Sequence, residues 1–358
     1  MMPYPTLSID LDVIESNTRN MVAACQAHGV KPVGVTKLLL GSPEVAQAMI
    51  DGGIEILGDA RLMNLARYQD LAAEKMLIRL PSFSEVDKVI ALTDISLNSE
   101  SSVLCALSEA AVKANKIHRV VLMHDLGDLR EGCFDESETL WLAELVQSLP
   151  NLELIGVGSN LACYGGVAPS AENQNQLVAI AEKIESKFGL KLSVISGASS
   201  AGLDLMLAGE MPSQVNQLRL GASLIMGIGL NDEPVPTTQQ NAIHLEAELI
   251  EIKQKPSVPV NSTALDAFGN TPEFIDKGIR CRGLCAIGRQ DVELEQLIPT
   301  DSHISVVGGS SDHLIVDLTD CSHEYHVGDR LTFDLGYGGV LQCATSEFVH
   351  KAYVRAKA

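Results

Sequence analysis

Between residues 33 and 221, short strand-like runs alternate eight times with helical patterns, and that alternation leaves few folds open. The runs are 33–37, 54–58, 76–80, 94–98, 119–125, 153–159, 191–196 and 217–221. Strands that alternate with helices pair in parallel, because each helix carries the chain back to the starting edge of the sheet. Eight such units in succession predict a closed (β/α)8 barrel. An open, doubly wound α/β sheet is the alternative, since periodicity does not reveal closure.

The helix boundaries are written locally. Ser42-Pro43-Glu44 supplies a cap, a proline at the first helical position and an early acid, and Gly52-Gly53 stops the helix. Asp135, with Glu138 three residues on, has the spacing of a capping box leading into residues 140–149.

After Leu230 the texture changes to a polar, proline-bearing stretch, NDEPVPTTQQ. Beyond it the helical period fades. HLEAELIEIKQ, IRCRGLCAIG, HISVVGG, HLIVDLTD and YHVGDRLTFDLGYGG read as strands separated by turns. The expected organisation is a barrel over residues 1–232 and an all-β domain over 233–358.

A formal charge of −20 repels polyphosphate and anionic lipid, which disfavours nucleic-acid and membrane-surface roles. No stretch approaches the roughly 18 uninterrupted apolar residues of a membrane span, and the start of the sequence lacks a secretory pattern. A cytoplasmic location is therefore expected. The eight cysteines lack paired zinc-type spacing and read as reduced thiols, and no metal site is expected.

Barrel active sites gather where the strands end, so residues there come first. Lys37 closes the first run and is followed by three leucines. An ammonium among apolar neighbours must reach solvent or become neutral, for instance as a Schiff base. The seventh run leads into Ser196-Gly197-Ala198-Ser199-Ser200-Ala201-Gly202, and the eighth into Gly221-Ala222-Ser223. Small residues at those positions let backbone N–H groups and hydroxyls approach an anion, and barrels commonly bind phosphate there. Strand alternation turns Arg219 to the face opposite Leu218 and Leu220, into the barrel. A buried guanidinium needs either a structural carboxylate or a group on a bound cofactor.

With these residues assembled, the chain resembles the pyridoxal-phosphate (PLP)-dependent alanine racemase superfamily, and most closely its ornithine racemase branch. The segments that carry the resemblance are GVTKLLLG around Lys37, GDARLMNL at 58–65, HDLGDLREG at 124–132, GSNLACYGG at 158–166, SGASSAG at 196–202, LRLGASLIMG at 218–227, AIGRQDV at 286–292 and GGSSDHLIVDLTD at 308–320. The resemblance implies Lys37 as the cofactor lysine and Arg219 as the arginine at the pyridine nitrogen. It implies phosphate contacts at Ser200, with Ser199 beside it, and at Gly221, Ala222 and Tyr353. Arg130 matches the arginine near the cofactor oxygen and the substrate carboxylate, and Asn160 stands where alanine racemases place a histidine under the ring. The activity implied is racemisation of a free amino acid, with ornithine or another basic amino acid favoured over alanine, by a homodimer.

The chain departs from the family at the second catalytic base. Alanine racemases supply a tyrosine from the partner subunit in a Gly-Tyr-x-Asp-Gly segment, whereas this chain reads Gly288-Arg289-Gln290-Asp291-Val292. The tyrosine four residues after the lysine is also replaced, by Gly41. Arginine stays protonated and is a poor base, so Asp291, Asp312 and His313 are the candidates for the opposite face. Arg289, Asp291 and Asp312 are equally candidates for holding the substrate. A non-catalytic PLP carrier and a metal-assisted D-amino-acid lyase are the competing functions.

Overall fold

The computed structural model describes residues 4–265, 268–269, 271 and 273–356. The strand β1 (Thr6–Asp10) is followed by β2 (Lys31–Val35), β3 (Ile56–Asp59), β4 (Glu74–Leu77), β5 (Ile95–Asn98), β6 (His118–Met123), β7 (Leu152–Gly158), β8 (Val194–Ser199) and β9 (Gln217–Leu220). Strands β2 to β9 close into a barrel, each parallel to the next and β9 parallel to β2. This is the expected (β/α)8 architecture, and the eight runs of the sequence correspond to its eight strands.

Two apolar layers hold the barrel. Val33, Met76, Ile95, Leu97, Val121, Met123 and Ile155 cluster together, with Ile56 and Ile78 packed against them. Residues one step out of phase on the same strands, Val120, Leu122 and Leu154, pack instead with Leu142, Val146, Leu177, Ile180 and Ile184 of the helices. Each fully buried aliphatic side chain contributes about 1.5–3 kcal/mol, so burying both faces of these strands stabilises the closed barrel. The helix Pro43–Asp51 begins and ends as its sequence predicts, with the Ser42 hydroxyl accepting from the Val45 amide at 3.3 Å. At residue 135 the aspartate caps through the Ser137 amide at 2.7 Å.

The second unit contains β10 (Ile243–Pro256), β11 (Ile279–Cys285), β12 (Leu297–Pro299), β13 (Ser305–Gly309), β14 (Leu314–Asp317), β15 (Arg330–Leu335) and β16 (His350–Val354). They run in the order β12-β15-β10-β11-β14-β13, and β1 joins them, antiparallel to β10 and parallel to β16.

The expected division at residue 232 differs from the observed one at both of its ends. The chain separates into Leu11–Gln240 and a unit made of Met1–Asp10 with Asn241–Ala358. β1 belongs to the second unit because Leu7 and Ile9 are fully buried in its sheet, a pairing across more than 230 residues. The polar stretch 231–240 is held to the barrel unit. There the Asn17 side chain donates to the Gln239 carbonyl at 2.8 Å and accepts from the Gln239 amide at 2.7 Å. Residues 337–345 also depart from the strand expected through GYGG. They form the helix Tyr337–Thr345, whose Val340, Cys343 and Ala344 are buried on one face. Among the described residues no helix is long and apolar enough to cross a membrane.

Candidate functional site

The residues singled out in the barrel come together at the carboxyl ends of its strands. β2 stops at Val35, two residues earlier than expected, and Lys37 opens a one-turn 3-10 helix, Lys37–Leu39. The turn closes through Leu40, in the left-handed region at φ 56°, and Gly41 at φ 63°. Lys37 is half-buried, and its ammonium has no ion pair among the described residues. A Cβ at Gly41 would lie 2.6 Å from Cβ of Asn64, which leaves no room for a side chain. That is the physical reason this chain has glycine four residues after the lysine.

Arg219 lies in β9, buried as alternation predicts. Its guanidinium donates to the Ser196 hydroxyl at 2.5 Å and to the Ser159 carbonyl at 2.6 Å, and among the described residues it has no carboxylate partner within ion-pair distance. Burial lowers its pKa to about 10, an effect opposed by the carboxylate of Glu131. The guanidinium therefore remains charged at neutral pH.

The loops after β8 and β9 meet. Ser200 Oγ accepts from the Gly221 amide at 3.3 Å and the Ser223 amide at 3.2 Å, and lies 3.0 Å from Ser223 Oγ. Ser199 turns instead to the Ala201 amide, at 3.4 Å. A Cβ at Gly221 would sit 3.2 Å from Cβ of Val35, so the loop backbone lies close over the end of β2. Asn160, immediately after β7, is buried, and among the described residues its Nδ2 has no hydrogen-bond partner. A buried amide donor left unmade costs about 1–3 kcal/mol, which marks it as a group awaiting an acceptor.

Arg130 is exposed in the loop after β6 and forks onto the carboxylate of Glu131. That carboxylate raises the arginine's pKa above its ordinary value. Two residues earlier, Asp128 accepts the backbone amides of Cys163, Tyr164, Gly165 and Val167 at 3.0–3.3 Å. It is thereby a pin between the loops after β6 and β7. Asp128 and Glu131 escaped the sequence reading. The available signal was their place beside Arg130 in GDLREG, opposite the glycine-bearing CYGG.

The remaining candidates lie in the second unit. Tyr353 sits in β16, in register with Ile9. The segments around residues 288 and 311 are joined, with the Arg289 amide donating to the Ser310 carbonyl at 2.9 Å and the Gln290 amide to the Ser311 carbonyl at 3.0 Å. Asp312 and His313 are exposed there, while Arg289 pairs with Glu295 at 3.0 Å. Asp291 is different. It is buried, and its carboxylate accepts the Ser346 hydroxyl at 2.7 Å, a bond that ties its turn to the chain after helix Tyr337–Thr345.

Comparison with known proteins shows what this arrangement is similar to. The family described as alanine racemase, N-terminal domain, matches residues 9–228. An ornithine racemase from Acetoanaerobium sticklandii is 38% identical over 97% of this chain and 99% of its own length. A lysine racemase from Thermotoga maritima is 37% identical over 98% of this chain and 99% of its own length. Among solved structures, the alanine racemase from Bartonella henselae with covalently bound pyridoxal phosphate has a TM-score of 0.75 at 17% identity, covering 98% of this chain and all of that one. At that identity the likeness speaks for the fold.

Proposed function

Because this chain belongs to the alanine racemase family, we propose that it is a PLP-dependent racemase interconverting the L and D forms of a free amino acid, with ornithine or another basic amino acid favoured. The observation that carries the reading is Arg219, a buried cation with no described carboxylate partner at the barrel end that also holds Lys37 and the orphaned Asn160 amide. A structural arginine would be paired, since an unpaired buried charge is costly. These residues fit PLP. Lys37 would carry it covalently, Arg219 would face the ring nitrogen, Asn160 would lie by the ring, and Ser200, Gly221 and Ala222 would hold the phosphate.

When bound, PLP supplies an electron sink that acidifies the substrate's α C–H bond. Arg219, itself a cation, would disfavour protonation of a ring nitrogen facing it and so restrain that sink, which would suit a reaction that only removes and returns a proton. Arg130 orients the substrate carboxylate, and Lys37 Nζ exchanges a proton with the α-carbon on one face. The opposite face needs its own group. Asp312 and His313 are exposed side chains of acid–base type, and in a homodimer they would serve the partner's site; Asp291, held by Ser346, supports their turn. The names of the two relatives support the basic substrate.

The test is incubation of the purified protein, supplied with PLP, with single L-amino acids in deuterated water. Loss of the α-proton together with appearance of the D-enantiomer is expected, fastest for ornithine or lysine. No exchange with any amino acid overturns the reading, and activity in a strictly monomeric protein overturns the homodimer.

A further inference from the structure

Immediately before Lys37, Thr36 is fully buried, and its hydroxyl donates to Asp59 Oδ2 at 2.7 Å. The buried Tyr68 hydroxyl lies 3.0 Å from the same Thr36 oxygen. Thr36 has a single hydroxyl proton and gives it to the carboxylate, so Tyr68 is the donor in that second bond. The other oxygen of Asp59 accepts from the Arg61 amide at 2.9 Å and from Asn64 Nδ2 at 3.0 Å. No cation among the described residues lies within ion-pair distance of Asp59, which is itself fully buried.

The same stretch of chain grips the rest of the lysine turn. The Thr36 carbonyl accepts from the Leu39 and Gly41 amides, both at 3.2 Å, closing the turn on itself. Gly41 is packed against Asn64 too closely for any side chain. The exposed Arg67 donates from Nη1 to the Leu40 carbonyl at 2.9 Å. Residues 59–68 thus meet the turn at its first residue and at its last two.

A carboxylate buried without a cation is a poor way to stabilise a protein, because apolar side chains of similar volume do as well or better. What such a network supplies is one fixed arrangement of the groups it joins. Here those groups all flank Lys37. We infer that Thr36, Asp59 and Tyr68 form a buried brace, completed outside by Arg67, that positions Lys37 for cofactor attachment and proton transfer; this rests on the role proposed for Lys37 above.

The brace is tested with Thr36→Val, which keeps the shape and removes the hydroxyl, Thr36→Ser, which restores it, and Arg67→Met at an exposed position that leaves the core intact. For each, four quantities are measured: thermal melting of the protein without PLP, the rate at which added PLP becomes trappable on Lys37 by borohydride, kcat and KM. A small misplacement of a reacting group costs on the order of tenfold to a hundredfold, so Thr36→Val should lose that much in kcat and in trapping rate while KM changes little. Thr36→Ser should recover most of both, and Arg67→Met should show a smaller loss in the same direction. Folded Thr36→Val and Arg67→Met with wild-type kcat and trapping rates overturn the brace. If Thr36→Val does not fold, Arg67→Met decides alone by the same criterion. Wild-type protein that is never tagged on Lys37 removes the functional reading itself, and the brace with it. An active, tagged wild type with unaffected variants removes the brace only.

Discussion

The guanidinium of Arg219 donates to the main-chain carbonyl of Ser159 at 2.6 Å, joining β9 to the loop after β7. The bond orients the arginine without neutralising it, leaving its charge available at the barrel mouth. Arg219→Glu should therefore change the outcome of the reaction. A carboxyl group facing the ring nitrogen favours its protonation and strengthens the electron sink. Racemisation should fall and side transamination should rise, as read by keto-acid release per racemisation event. Unchanged partitioning in a folded variant would mean that Arg219 serves the barrel alone.

Lys37 is expected to carry the cofactor, so the PLP-loaded protein should be yellow. Borohydride should bleach it and tag the peptide containing VTKLLLG. A tag on Lys31 or Lys75 would remove the assignment. Lys75 is a genuine competitor by burial, but its Nζ is bonded to the Leu71 carbonyl and held on the chain. Lys37→Ala should abolish colour and activity while leaving the melting temperature close to wild type, because the half-buried ammonium has no described ion-pair partner to lose.

In the second unit, exposure separates three candidates of similar chemistry. Asp291→Ala should lower stability by about 1–2 kcal/mol in urea melts, since it removes the hydrogen bond between a buried carboxylate and the half-buried Ser346 hydroxyl. Asp312→Asn and His313→Gln should melt like wild type. If either is the base for the opposite face, α-proton exchange from only one enantiomer should collapse. If Asp312 instead holds the distal ammonium, ornithine turnover should fall while alanine turnover is preserved. No change in either quantity would exclude both residues.

Acid sensitivity has a specific source in His118, whose pKa is lowered from 6.5 to about 4. Burial is the main cause, with Lys116 and Arg119 adding to it and Asp94 opposing. Its Nε2 lies 2.8 Å from Ser96 Oγ between neighbouring barrel strands. Between pH 6.5 and 4 the unfolded chain takes up a proton that the folded chain refuses. The neutral histidine's contribution is thus fully present above pH 6.5 and is lost on acidification, by at most about 3 kcal/mol. Urea midpoints at pH 7 and pH 4.5 should differ less in His118→Asn than in wild type. An equal difference would place the acid sensitivity elsewhere.

The sequence by itself determined the eight alternating strand–helix units, because its instructions are short-range; that they close into a barrel was decided by the tertiary structure. Alternation over five residues sorts one strand's side chains between two apolar layers, and Ser42-Pro43 starts a helix from atoms within one turn. It also put Lys37, Asn160, Ser200, Arg219 and Gly221 at strand ends, which closure gathers at one mouth. Only the tertiary structure decided which partners those residues meet. TLSID has an ordinary strand pattern, and nothing within it says that it pairs with residues 243–246 and 350–354. Asp291 and Asp312 look alike in sequence, yet one is buried against Ser346 and the other exposed. GDARLMNL gave no sign that its aspartate and the Tyr68 that follows would close over Thr36. Hydrogen bonds between groups tens or hundreds of residues apart depend on the distances that folding sets, and no local period encodes those distances.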